Sequence, residues 1–267
     1  CSGIAGSVFS LVFSDIIEAW GWRAGYVAMA VCSLALMLPA VLFVPSARPQ
    51  DVRLSPFGET SMRIPGNVAR DGRSGTDETP VSSPIFALIV LFSILIVGPS
   101  SMSQHLPGLA QSYGLGASIG ATMLSAAMVT NTLGKVAFGT LCDRVGACKS
   151  VVLYGALVGI AMVGLLVCRG AGTLIGSAAL FGLTYSLSAV SLTAVTRELA
   201  GNGGYEKVYP VAALTGSASY AALSSANGFM YDFTDGYQLS LVLMLVLLAA
   251  AVGSALLAYR KVRFSSK

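Results

Sequence analysis

From Val151 to Val167 the chain carries no charged side chain, and from Gly116 to Phe138 it carries only Lys135, near the end of the run. Runs of this kind recur at about 24–44, 84–107, 117–139, 150–168, 173–195 and 208–231, with a seventh from about Tyr237 to Tyr259. Wound as a helix, roughly 20 apolar residues cross a hydrocarbon layer of about 30 Å with every backbone polar group bonded inside the segment. Strands of a membrane barrel would instead alternate in segments of about ten residues. A mean hydropathy of +0.76 with 10% charged residues excludes a soluble domain, which carries about a quarter charged residues. The expected fold is all-α, a polytopic transmembrane helix bundle.

The stretch 45–83 interrupts this pattern. It holds Pro45, Pro49, Pro56, Pro65 and Pro80 with four glycines, and its arginines are balanced by Asp51, Glu59, Asp71, Asp77 and Glu78. Such a composition cannot bury a core and is expected to be a flexible linker rather than a lipid-binding basic patch. Cys1–Phe13 is apolar but too short to span, so it is read as the tail of a helix that starts upstream. The expected organisation is 1–44 as the end of one helix group, 45–83 as linker, 84–260 as a six-helix bundle and 261–267 as a tail.

Loop cations set the orientation, because positive residues stay on the cytoplasmic side. Taking alternate loops, fourteen of the sixteen Lys and Arg fall on one side, leaving only Arg23 and Arg169 on the other. The linker and the C-terminus are therefore expected to face the cytoplasm of a cell with this protein in its plasma membrane.

Cys1, Cys32, Cys142, Cys148 and Cys168 show no metal-ligand spacing, and His105 is the sole histidine. No metal, cofactor or nucleic-acid partner is expected. An intramembrane hydrolase would need a nucleophile and an oriented base, and no carboxylate lies deep enough to orient His105. A non-transporting sensor, or a permease subunit driven by a separate ATPase, would want a coupling helix in a cytoplasmic loop. The loop Thr196–Pro210, with Gly201, Gly203 and Gly204, reads as flexible instead. No Asp, Glu or Arg falls in the central third of any span, so ion coupling is expected to reside outside this chain or to be absent.

Between the second and third of the six later runs lies GTLCDRVGACKS, Gly139–Ser150. With Gly139, Leu141, Asp143, Arg144 and Gly146 it resembles the signature turn of the major facilitator superfamily, G-x-L-x-D-[RK]-x-G-[RK]-[RK], departing from it at Ala147 and Cys148. The GKVAFG stretch, Gly134–Gly139, is similar to monocarboxylate and oxalate/formate antiporter-like members. The basic residues that anion carriers place inside helices 8 and 11 have no counterpart here.

That resemblance implies a secondary transporter working by alternating access, with a small organic acid as the substrate class of the members it is similar to. The spans become helix 6 and helices 7 to 12, completed by missing N-terminal helices of the same chain or another subunit. It also implies a gating turn built from Gly139, Asp143, Arg144, Gly146 and Lys149 with Lys135 upstream. Gly139 and Gly146 are expected to allow close approach and positive φ, and Asp143 to meet the positive end of the next helix.

A cavity in such a fold lies near the midplane between helices 7, 8, 10 and 11. At about 1.5 Å per residue, Tyr185 and Tyr220 fall at the same mid-membrane level. Either they face a cavity or they pack. Gly98-Pro99 followed by Ser100, Ser101, Ser103, Gln104 and His105 reads as an interrupted helix. Gln104 is a candidate substrate ligand, and His105 either a proton-sensitive gate or a solvated interfacial residue. Asn131 and Asn227 either bind substrate or bridge helices. The partners expected are a small-molecule solute and the lipid bilayer.

Overall fold

A computed structural model describes residues 2–43 and 83–265. The linker expected over 45–83 lies outside them, but for Ser83. Among the described residues there are helices and no strands. Contacts divide the chain into two units, Val8–Thr76 and the combination of Cys1–Ser7 with Asp77–Lys267.

Helix α1, Ser2–Phe43, is two helices joined at Gly21, whose φ of 79° and ψ of 166° only glycine adopts without strain. Past this break Arg23 lies 5.1 Å from the Trp22 ring centre. The segment Ala19–Pro39 is long and apolar enough to cross a membrane. Its Val31, Leu34, Leu36 and Met37 are exposed, as suits a helix that meets lipid or other helices.

The larger unit begins with α2, Ser83–Val97, a 3-10 segment, Gly98–His105, and α3, Leu106–Ser112, which together form one candidate span, Ser83–Ser112. Pro99 has no backbone donor, and the tighter winding follows from it. Two carbonyls here accept bonds from hydroxyls: Ser100 Oγ donates to Val97 O at 2.5 Å and Ser103 Oγ to Ser100 O at 2.6 Å. The interrupted helix expected at Gly98-Pro99 is thus present as a wound but non-α stretch.

Then come α4, Ala117–Val145, α5, Ala147–Val167, α6, Ala171–Phe181, α7, Leu183–Thr234, and α8, Gln238–Ser265. Helix α7 is again two helices, joined at Gly201 with φ 68° and ψ 176°. Its first part continues α6 into one candidate span, Ala171–Gly201. The flexible loop expected over Thr196–Pro210 is therefore corrected to helix with a break at Gly201.

Among the described residues, five helical segments are long and apolar enough to cross a membrane. The expected spans 117–139 and 208–231 are helical but outside that set, because hydroxyls and amides dilute their apolar runs. In α4 these hydroxyls turn back onto the helix: Thr122 Oγ1 donates to Ser118 O at 2.8 Å and Thr130 Oγ1 to Ala126 O at 3.2 Å.

Lipid offers no hydrophobic drive between helices, so packing and interhelical bonds hold the bundle. Ser93 Oγ donates to Ala212 O at 2.5 Å and Ser219 Oγ to Ile94 O at 2.8 Å, tying α2 to the second part of α7. Phe138 and Tyr154 meet edge to face at 4.6 Å, and Tyr154 OH reaches Gly134 O, joining α4 to α5. Gly182 lets the α6–α7 junction touch the Ala127 carbonyl of α4, where any Cβ would collide with backbone. Phe92, Met102, Met123 and Phe181 are buried, while Val136, Val167, Leu214 and Phe233 face outward.

Candidate functional site

Where the 3-10 segment meets α7, polar side chains bond one another. Gln104 Nε2 donates to Tyr220 OH at 2.7 Å, and Ser224 Oγ donates to Gln104 Oε1 at 3.1 Å. His105 Nε2 donates to Ser224 O at 3.1 Å, which places a proton on that nitrogen. Tyr185 OH donates to Ser103 Oγ, next to Gln104 in the chain. Asn227 Nδ2 donates to Ser101 Oγ at 3.1 Å. Non-α winding makes this possible, since it presents Ser101, Ser103 and Gln104 toward α7 within one short stretch.

Asn131 enters through its backbone, accepting from Ser186 Oγ at 2.9 Å beside Tyr185. The side-chain oxygens of Asn131 and Asn227 are buried and have no partner among the described residues. A buried acceptor left unbonded costs about 1–3 kcal/mol, so each is poised to take a donor from water or solute. The structure thus brings Tyr185, Tyr220, Gln104, His105 and Asn131 to one region. Asn227, Ser101 and Ser224 complete it.

Lys135 needs relocation. It was counted among loop cations, but α4 runs on to Val145, ten residues further, which is about 15 Å of helix. Half-buried and one turn from Asn131, it lies within the helix, well ahead of the one-residue turn at Gly146. A basic residue therefore lies within the length of α4.

At that far end of α4 the expected turn shrinks to one residue. Gly146 has φ 87° and ψ 157°, and α5 starts at Ala147. Gly139 is ordinary helix with open space at its Cβ position, so the positive φ expected there is corrected. Asp143, Arg144 and Lys149 are exposed. The carboxylate at the start of α5 is not Asp143 but Glu198 of α7: Ala147 N donates to Glu198 Oε1 at 3.0 Å, and Tyr259 OH donates to Oε2 at 2.5 Å. Glu198 thereby bonds α5 and α8 from α7 and places a negative charge at the positive end of α5. A cleft of about 800 Å³ opens beside it, lined by Cys142, Asp143, Arg197, Glu198, Tyr205 and Glu206. Sequence reasoning missed Glu198, although an acidic residue closing an apolar run was a visible sign.

At the opposite end, Arg169 sits over the Tyr113 ring at 3.9 Å and Tyr113 OH donates to Leu165 O at 3.1 Å. Burial pushes the Tyr113 phenol up from its ordinary value, and the Arg169 charge acts against that rise.

The model of the Major Facilitator Superfamily matches residues 1–224. The chain belongs to the major facilitator superfamily. That match takes in the Gly146 turn and the polar cluster as far as Ser224. Among curated superfamily relatives it is similar to Monocarboxylate transporter 13 of Rattus norvegicus, 23% identical over 255 residues. These residues are 94% of this chain and 56% of that protein, so the chain spans little more than half the length of its relative. As a superfamily member with apolar helices of spanning length, it is an integral membrane protein.

Proposed function

We propose that this chain is the C-terminal part of a secondary active permease that moves a small organic acid by alternating access, with no catalytic step. The observation that carries the substrate class is Lys135, half-buried inside α4 one turn from Asn131. A half-buried cation within a helix of a membrane protein suits an anionic solute, because ionisable groups at such positions mark substrate pathways. The substrate carboxylate meets Lys135, and Tyr185, Tyr220, Gln104 and His105 orient the remainder of the solute. Asn131 Oδ1 accepts from a substrate hydroxyl or a bridging water.

The gate lies at Gly146, with Asp143, Arg144 and Glu198 closing the cytoplasmic side in one state. Helices from the other half of the transporter complete the cavity, in a plasma membrane with the linker and C-terminus inside. The likeness to a monocarboxylate transporter supports the same substrate class.

Uptake of labelled small carboxylates, sugars and amino acids into proteoliposomes, with and without a pH gradient, tests this reading. Lys135→Gln is expected to raise KM for carboxylates at least about tenfold, the loss of one charge-assisted bond of about 1.5–3 kcal/mol. Carboxylate transport at the normal KM in that variant, or uptake of neutral solutes alone by the parent protein, overturns it.

A further inference from the structure

On the outer face of the larger unit, α5 and α8 leave an apolar groove of about 370 Å³ between Val152, Gly155, Gly159, Leu248 and Val252. Both helices are candidate membrane spans, so the groove opens at acyl-chain depth. The two helices run antiparallel, with a Cβ at Gly155 falling 2.7 Å from Val252 Cγ2 and one at Gly159 falling 3.8 Å from Leu245 Cδ1. Glycine at 155 is what brings the helices together there.

Following this register toward the N-terminus of α5, the stripe Gly159, Ala156, Val152 ends at Lys149. Along α8, Leu248, Val252 and Leu256 recur every four residues and end at Arg260, with Lys261 beside it. Glu198 fixes that both ends lie at one level, since it takes bonds from Ala147 and Tyr259 together. Lys149, Arg260 and Lys261 are all exposed, and none is held in an ion pair among the described residues. The acid nearest in the register, Glu198, is occupied by its two donors.

We infer that the α5–α8 groove seats one anionic glycerophospholipid of the bilayer, with its phosphate at Lys149 and Arg260 and an acyl chain along Gly159, Val152 and Val252. The charge of the site selects this occupant. A cluster of cations at the end of a membrane-depth apolar groove complements a phosphate joined to a hydrocarbon tail. A second copy of the chain would instead set Lys149 and Arg260 against their own duplicates across a twofold axis in the membrane, which like-charge repulsion opposes.

The test is native mass spectrometry of the full chain released from nanodiscs of phosphatidylcholine mixed with phosphatidylglycerol. Wild type is expected to retain phosphatidylglycerol in preference to phosphatidylcholine. Lys149→Gln and Arg260→Gln should each lower that retention about fivefold, the effect of one basic residue at an anionic surface. Gly159→Leu, which fills the groove at a position where an added Cβ meets only ordinary contact, should lower retention of both lipids. Thermal melts matching wild type establish that each variant is folded, and a failure of one leaves the other two to decide. Equal retention of the two lipids by wild type overturns the inference, as does unchanged phosphatidylglycerol in the folded variants. So does a stable dimer whose interface is lost on Gly159→Leu, or displacement of the lipid by glycerol phosphate without acyl chains.

Discussion

Glu198 shows how much one exposed carboxylate can organise when two helix ends converge on it. Its two oxygens are used separately, one by the first backbone N–H of α5 and one by the Tyr259 phenol of α8. Solvent weakens both bonds, so their coupling is expected to be about 1 kcal/mol rather than the larger value of a buried pair. A double-mutant cycle of Glu198→Ala and Tyr259→Phe, read by thermal unfolding in detergent, should return that coupling energy. Additive effects would show that the bond contributes nothing. At the same scale, Lys135 and Asn131 were both visible in the sequence, yet their roles depended on where α4 ended. Residue type alone announced a cation and an amide; the additional turns of helix placed the cation inside α4, one turn from the amide.

At the scale of elements, the glycines sort into those that break a helix and those that do not. Gly146 holds a backbone conformation that side chains resist, with a cost of about 1–3 kcal/mol for any other residue. Gly139 is helical and open, so alanine there should be neutral or stabilise by up to about 1 kcal/mol. Comparing the unfolding temperatures of Gly146→Ala and Gly139→Ala checks the assignment: only the first should fall. A fall of equal size in both would mean that the two positions share a turn, as the motif taken at face value suggests. The 3-10 segment teaches the same lesson from proline. Gly98-Pro99 gave the interruption away, but the facing of Ser101, Ser103 and Gln104 toward α7 comes from the changed helical phase, which composition does not encode.

Across the whole molecule, the two ends of the larger unit are held differently. One end is closed by the stacking of Arg169 on Tyr113, the other by the Glu198 bonds beside an open cleft. If the end bearing Gly146 is the gate, Asp143→Asn should slow transport severalfold while membrane insertion and the unfolding temperature stay unchanged. Proteoliposome uptake at the normal rate in that variant would remove Asp143 from the gate and leave Glu198 to explain closure.

The sequence by itself determined the helices, their membrane environment and the presence of a glycine-bearing charged turn, because apolar length and backbone satisfaction admit no other fold class. It also named most of the polar residues that later cluster, since polar groups inside long apolar runs are few. Only the tertiary structure decided which of them meet. Whether Gln104 finds Tyr220, whether Asp143 or Glu198 faces α5, and whether Lys135 belongs to loop or helix all depend on helix phase, length and register. Those are set by packing between distant segments, such as the contact of Gly182 with the Ala127 carbonyl, which no local pattern records.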